Sequence, residues 1–102
     1  MVIPLQHFED FIDLPDDLAA HIFLVAKKIS KAMRIACRPS AVSHLSDDDV
    51  SKNGYNLVAH YKFHLIPRFE NDKVVIEWNR DADPGVDTRI LYANQIKKEL
   101  AP

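Results

Sequence analysis

Hydrophobic residues recur at three- and four-residue steps after Pro15, as they do along one face of a helix. Acidic residues open this stretch and basic residues follow in its later half, which suits the helix dipole. Pro39 ends it, because the residue before a proline resists the α conformation. The pattern predicts a helix from about residue 15 to 37, with an apolar stripe formed by Leu18, Ile22, Val25, Ile29, Met33 and Ala36.

The rest of the chain carries shorter patterns. Residues 40–45 weakly resemble a strand, and the alternating run 56–66 predicts a long central strand after a polar loop. The alternating run 73–78 predicts a further strand, suited to antiparallel pairing with its predecessor. Residues 87–100 predict a final helix capped by Asp87 or Thr88. Strands interrupted by one long helix indicate an α+β fold.

Composition limits the classes of partner. A chain of 102 residues with 47% hydrophobic and 27% charged residues is typical of one globular domain. Its net charge of -2 gives no general attraction for nucleic acid or an anionic membrane, so neither is expected as a partner. The single cysteine, Cys37, excludes an internal disulfide and fits a reducing cytoplasm, and no apolar run is long enough to span a membrane.

The most informative stretch is NLVAHYKFHLIPR, residues 56–68. Side chains alternate across a strand, so the strand prediction places His60, Lys62 and His64 on one face. The other face then carries apolar residues. Antiparallel sheets often have one face in solvent, so the row His60, Lys62 and His64 is also compatible with an ordinary solvated face.

This stretch resembles the histidine triad (HIT) superfamily, whose signature is a glutamine, alternating histidines and Ile-Pro-Arg. VIPLQHFEDFIDLPDDL resembles the segment that leads into the family's long helix, and DKVVIEWNR resembles the segment after the triad in its bacterial branch. The resemblance covers nearly the whole chain. It implies a HIT-like antiparallel sheet packed with one long helix and a shorter C-terminal helix, and it implies a homodimer.

In this family the middle histidine attacks the α-phosphorus of a nucleotide conjugate, and water then releases a nucleoside monophosphate. Here Lys62 stands at that position. A lysine with an ordinary pKa of about 10.4 is almost entirely protonated at pH 7 and has no lone pair to attack with. The resemblance therefore implies descent from a nucleotide phosphoramidate or dinucleoside polyphosphate hydrolase whose nucleophile has been replaced. His60 and His64 match the first and third triad positions, which in the family orient the nucleophile and contact phosphate.

Other departures from the family weaken the phosphate site. Asn56 replaces the signature glutamine, and Leu57 falls where many members place a serine hydroxyl. Asp49 lies eleven residues before His60, at a spacing where the family commonly has a phosphate-contacting asparagine. The chain is expected to be a single HIT-like domain, residues 1–102, lacking the family's N-terminal helix and hairpin.

Three hypotheses follow from these residues. The leading one is a degenerate nucleotide hydrolase that retains at most weak binding of a nucleoside monophosphate or other small anion through Asn56, His60 and His64. The second is an active nucleotidyl hydrolase or transferase, and the third is a non-catalytic dimeric interaction protein.

The remaining chemically versatile residues receive plainer interpretations. Residues 47–49 lack the spacing of a calcium loop and predict a solvated acidic loop. The basic residues of the long helix are expected on its exposed face, and Phe63 and Trp78 are expected in the core. Three further histidines share no metal-ligand spacing, so no metal or cofactor is expected; they are His7, His21 and His44.

Overall fold

The computed structural model describes residues 1–100. A short 3-10 helix, Phe11–Asp13, precedes the long helix α1, Asp16–Cys37. Two strands follow, β1 at Ala41–Leu45 and β2 at His64–Arg68, and the helix α2, Val86–Leu100, comes last. The α+β class is confirmed, with both helices and β1 close to their predicted bounds.

Helix α1 begins directly after Pro15 and ends where Arg38 adopts a left-handed conformation, with φ 48° and ψ 53°. Ile22 and Ala26 are its buried residues, while Ile29, on the predicted stripe, is exposed. Met33, one turn further along, packs partly against the core, so the buried stripe is narrower than the sequence predicts.

The sheet is small and antiparallel. β1 pairs with β2 in a register that sets Ala41 opposite Arg68 and Leu45 opposite His64. Val2 and Phe63 form a separate bridge through two reciprocal backbone hydrogen bonds of 2.8 and 2.9 Å. Val2 thus bridges to the residue just before β2.

Two strand predictions require correction. The central strand begins only at His64, because residues 56–62 lie in a loop whose backbone bonds go to other loops, such as Tyr61 N–H to the Phe8 carbonyl. The strand predicted over 73–78 is wrong, because within residues 1–100 the sheet consists of β1 and β2, and residues 73–78 form no strand. Trp78 is 81% exposed, so its predicted place in the core is wrong as well.

The core lies between α1 and one face of the segment 61–65. Leu14 closes one end of it beside the 3-10 helix. Because alternate residues of the segment enter this core, the intervening ones are held on the opposite face. The buried cluster consists of Leu14, Ile22, Ala26, Tyr61, Phe63 and Leu65.

Candidate functional site

The segment 60–64 has the alternation that the sequence predicts, although only its end is a strand. Tyr61 and Phe63 are buried against α1, while Lys62 and His64 are half-buried on the other face. His64 is the first residue of β2 and is paired with Leu45. Packing of the aromatic residues therefore fixes the face on which Lys62 and His64 stand.

His60 is anchored to the start of the chain. Its Nε2 lies 2.9 Å from the Pro4 carbonyl, and its Nδ1 lies 3.2 Å from Nδ1 of His7. A carbonyl oxygen only accepts, so this geometry assigns the ring hydrogen of neutral His60 to Nε2. Nδ1 of His60 is then the acceptor, and His7 donates to it. His60 is thus oriented by two groups, with no nitrogen left unused.

The contact with His7 was missed from the sequence. His7 is exposed, and its ring centroid lies 5.3 Å from that of His60. The only signal for it was its place in the segment that resembles the family. Spacing gave none, because the two histidines are 53 positions apart.

Lys62 turns back along its own chain. Its Nζ donates a 2.9 Å hydrogen bond to the Val58 carbonyl, four residues earlier. The hydrogen bonds of Lys62 and His60 therefore lead to different places, one to the preceding loop and the other to the N-terminal segment. Lys62 and His60 are two positions apart in the chain, but their recorded hydrogen bonds do not link one side chain to the other.

Asn56 and Asp49 form hydrogen bonds within the loop that precedes His60. The Asn56 side-chain amide donates to the Asp47 carbonyl. Asp49 is 6% exposed, and its carboxylate accepts backbone N–H groups from Asn53 at 2.9 Å, Gly54 at 3.1 Å and Asn56 at 3.3 Å. The prediction of a solvated acidic loop is wrong for Asp49, because this carboxylate is the acceptor around which the loop folds.

The electrostatics of Asp49 reflect that role. Burial raises the pKa of its carboxyl, but the backbone N–H donors outweigh burial and leave the pKa below its usual value. Two contacts tie the same loop to the N-terminal segment: an ion pair between Lys52 and Glu9, and a 2.9 Å bond from Phe11 N–H to Asp48. The loop is thereby fixed beside the histidines.

Arg68, at the end of the signature, clamps the chain that follows β2. Its guanidinium bonds Asp72 at 2.9 and 3.4 Å and also reaches the Ser43 hydroxyl and the Val74 carbonyl. Asp72 in turn accepts the N–H groups of Phe69 and Val74. The hydrogen bond with Arg68 holds the pKa of Asp72 well below its usual range, and the two N–H donors add to the effect.

Comparison with known proteins identifies the family of this chain. The family model of the HIT domain matches residues 1–71, which is more than two thirds of the chain. The chain belongs to the HIT family. Among curated HIT relatives, Protein hit of Bacillus subtilis is 33% identical over 84 residues, covering 81% of this chain and 57% of that protein. An adenosine 5'-monophosphoramidase of Saccharomyces cerevisiae is 28% identical over 101 residues, covering 98% and 57%.

Solved structures share the fold of this chain. A HIT protein of Bacillus subtilis superposes with a TM-score of 0.81 at 30% identity, covering 98% of this chain and 71% of that one. SMU.412c of Streptococcus mutans superposes with a TM-score of 0.83 at 24% identity, covering 97% and 61%. The chain spans little more than half the length of the two curated relatives named above.

Within this HIT domain, residues 1–100 contain no group of three or more histidine, cysteine, aspartate or glutamate side chains arranged to hold a metal ion. Over the same residues, no helix combines the length and apolarity needed to cross a bilayer.

Proposed function

We propose that this protein is a degenerate member of the HIT family, which has lost nucleotidyl transfer and binds a nucleoside monophosphate or other small anion weakly beside Lys62 and His64. The observation that carries the proposal is the state of Lys62. It occupies the nucleophile position, and its Nζ donates to the Val58 carbonyl.

Nucleophilic attack requires a free lone pair on nitrogen, which a lysine gains only when a base takes its proton. A backbone carbonyl accepts a hydrogen bond but does not act as such a base. The recorded partner of Lys62 Nζ is thus not a base that could take its proton. This supports a cationic, non-nucleophilic role for Lys62.

Weak binding of an anion fits the same residues. Lys62 and His64 are half-buried on one face, where an ammonium and an imidazole N–H are suitable donors to phosphate oxygens. Other donors expected from the family are committed or missing. The Asn56 amide is used by the loop, and Leu57 offers no donor. A phosphate would thus find few hydrogen bonds, which limits its affinity.

The name of the yeast relative, adenosine 5'-monophosphoramidase, indicates a substrate that contains adenosine monophosphate. This supports the choice of a nucleoside monophosphate as the ligand to test. It also supports the rival function, an active hydrolase. We further propose that the 102-residue chain is one domain, acts as a homodimer and resides in the cytoplasm, where its single cysteine, Cys37, stays reduced.

Turnover of adenosine 5'-monophosphoramidate tests the loss of catalysis. The natural chain and Lys62→Ala should release AMP at the same background rate. If the natural chain turns over the substrate and Lys62→Ala does not, the protein is an enzyme with a lysine nucleophile, and the proposal is wrong.

Binding is tested by a chemical-shift titration with AMP up to millimolar concentration. The ring signals of His64 should move and those of His21, exposed in the first half of α1, should not. Lys62→Gln should weaken the response. If no signal near Lys62 and His64 moves, the chain keeps no anion site, and the interaction hypothesis remains.

A further inference from the structure

Asp10 lies where the N-terminal segment meets the loop of residues 47–56. The residue before it, Glu9, forms an ion pair with Lys52 of that loop. The residue after it, Phe11, donates its N–H to the Asp48 carboxylate at 2.9 Å. Asp10 is therefore held between two contacts that join the segment to the loop.

The same short stretch also contacts the candidate site. The Phe8 carbonyl accepts the Tyr61 N–H at 2.6 Å, and the ring centroids of Phe11 and Tyr61 lie 6.2 Å apart. Earlier in the segment are the two groups that orient His60. We call residues 8–11, with their contacts to the loop and to Tyr61, the N-terminal junction.

The backbone of Asp10 is bonded, but one oxygen of its side chain is not. Its N–H donates to Asp13 Oδ2 at 3.1 Å, and its carbonyl accepts the Asp13 N–H at 3.1 Å. Its Oδ1 is buried and finds no hydrogen-bond partner among residues 1–100. A carboxylate oxygen that has lost water and gained no donor destabilises the charged form of the group.

The charges around Asp10 act in the same direction. Burial is the largest influence and raises the pKa of the Asp10 carboxyl. Lys52 lowers this pKa, but its Nζ is paired with Glu9. The carboxylates of Asp48, Glu9 and Asp13 raise it, so the pKa lies above its usual value. Carboxylates accept hydrogen bonds, so these surroundings suit a neutral acid, which can donate, better than another anion.

We propose that Asp10 is a proton-operated switch of the N-terminal junction, whose charged form weakens the attachment of residues 8–11 and whose protonated form strengthens it. Because the same segment orients His60, the switch makes the position of that histidine depend on pH. The proposal does not rest on nucleotide binding, so either can fail alone.

The direction of the effect follows from the raised pKa. A group of this kind stabilises the folded junction fully below its unfolded pKa of about 3.9. This contribution is lost as the pH rises through the higher pKa of the folded state. Mild acid should therefore tighten the junction through Asp10, whereas neutral pH loosens it.

Hydrogen exchange at the Phe11 and Tyr61 amides tests the switch, because both amides donate across the junction. Asp10→Asn replaces the acid by a neutral group of nearly the same shape. At about pH 7 both amides should be about threefold more protected in Asp10→Asn than in the natural chain. At about pH 3 the natural chain carries a protonated Asp10, so the difference should vanish.

Asp47→Asn is the matched control, since it removes a carboxylate that is exposed in the same loop. It should leave both protection factors within about 1.5-fold of the natural chain. A carboxyl carbon-13 titration of the natural chain provides a second measurement. The Asp10 signal should titrate at a higher pH in the full chain than in a peptide of residues 7–13.

Three results would overturn the switch. The first is equal protection of the two amides in Asp10→Asn and the natural chain at neutral pH. The second is the same gain in Asp47→Asn, which would assign the effect to net charge. The third is an Asp10 titration midpoint at or below that of the peptide.

Discussion

Replacement of Ile22 by alanine tests the packing that positions the row. Ile22 is 3% exposed and belongs to the buried cluster that includes Tyr61 and Phe63. The substitution removes three buried carbon atoms, worth about 2.4 kcal/mol at about 0.8 kcal/mol for each. The cavity adds to this loss, and the better helix propensity of alanine returns about 0.4 kcal/mol. We expect a loss of about 3 kcal/mol in the free energy of unfolding.

The same helix provides a control. Ile35 is 78% exposed, so Ile35→Ala makes the same chemical change with almost no loss of burial. Urea denaturation followed by circular dichroism should leave Ile35→Ala within about 0.5 kcal/mol of the natural chain. Ile22→Ala should also melt about 15 °C lower. If the two variants lose equal stability, Ile22 of α1 does not pack against Tyr61 and Phe63 as described.

Two further predictions concern carboxylates. Because the pKa of Asp72 is lowered in the folded state, its carboxylate stabilises the fold fully above the unfolded pKa of about 3.9, and this contribution is lost as the pH falls through the folded pKa. The stability deficit of Asp72→Asn in urea should thus be largest above pH 5 and narrow below pH 4; a constant deficit would contradict the clamp. Asp49→Ala should speed hydrogen exchange at the backbone amides of Asn53, Gly54 and Asn56, which donate to the Asp49 carboxylate. Asp47→Ala should leave their exchange unchanged. Unchanged exchange in Asp49→Ala would show that this carboxylate does not hold the loop.

Local signals in the sequence predicted the helices well. The apolar period and Pro39 define α1 within a residue, since both act over a few neighbouring positions. The strand over 73–78 failed because alternation shows only that a segment suits a sheet, and pairing depends on distant partners. In the described part of the chain the sheet consists of β1 and β2, and residues 73–78 form no strand.

At the candidate site, too, the sequence predicted local features but not contacts between distant residues. The two-residue spacing of Lys62 and His64 places them on one face, and the burial of Phe63 between them agrees. The His7 contact and the buried role of Asp49 were beyond the sequence. The first depends on bringing together residues 53 positions apart, and the second on the closure of an irregular loop with no periodic pattern.

The Val2–Phe63 bridge bears on the order of folding. The two residues are separated by about sixty positions, so their pairing closes a large loop and carries a high entropic cost before it is rewarded. Helix α1 and the β1–β2 pair involve shorter separations. We therefore expect the first residues of the chain to be among the last to become ordered, and during synthesis they must wait until Phe63 has left the ribosome. Until then the hydrogen-bond partner of His60, the Pro4 carbonyl, is not in place.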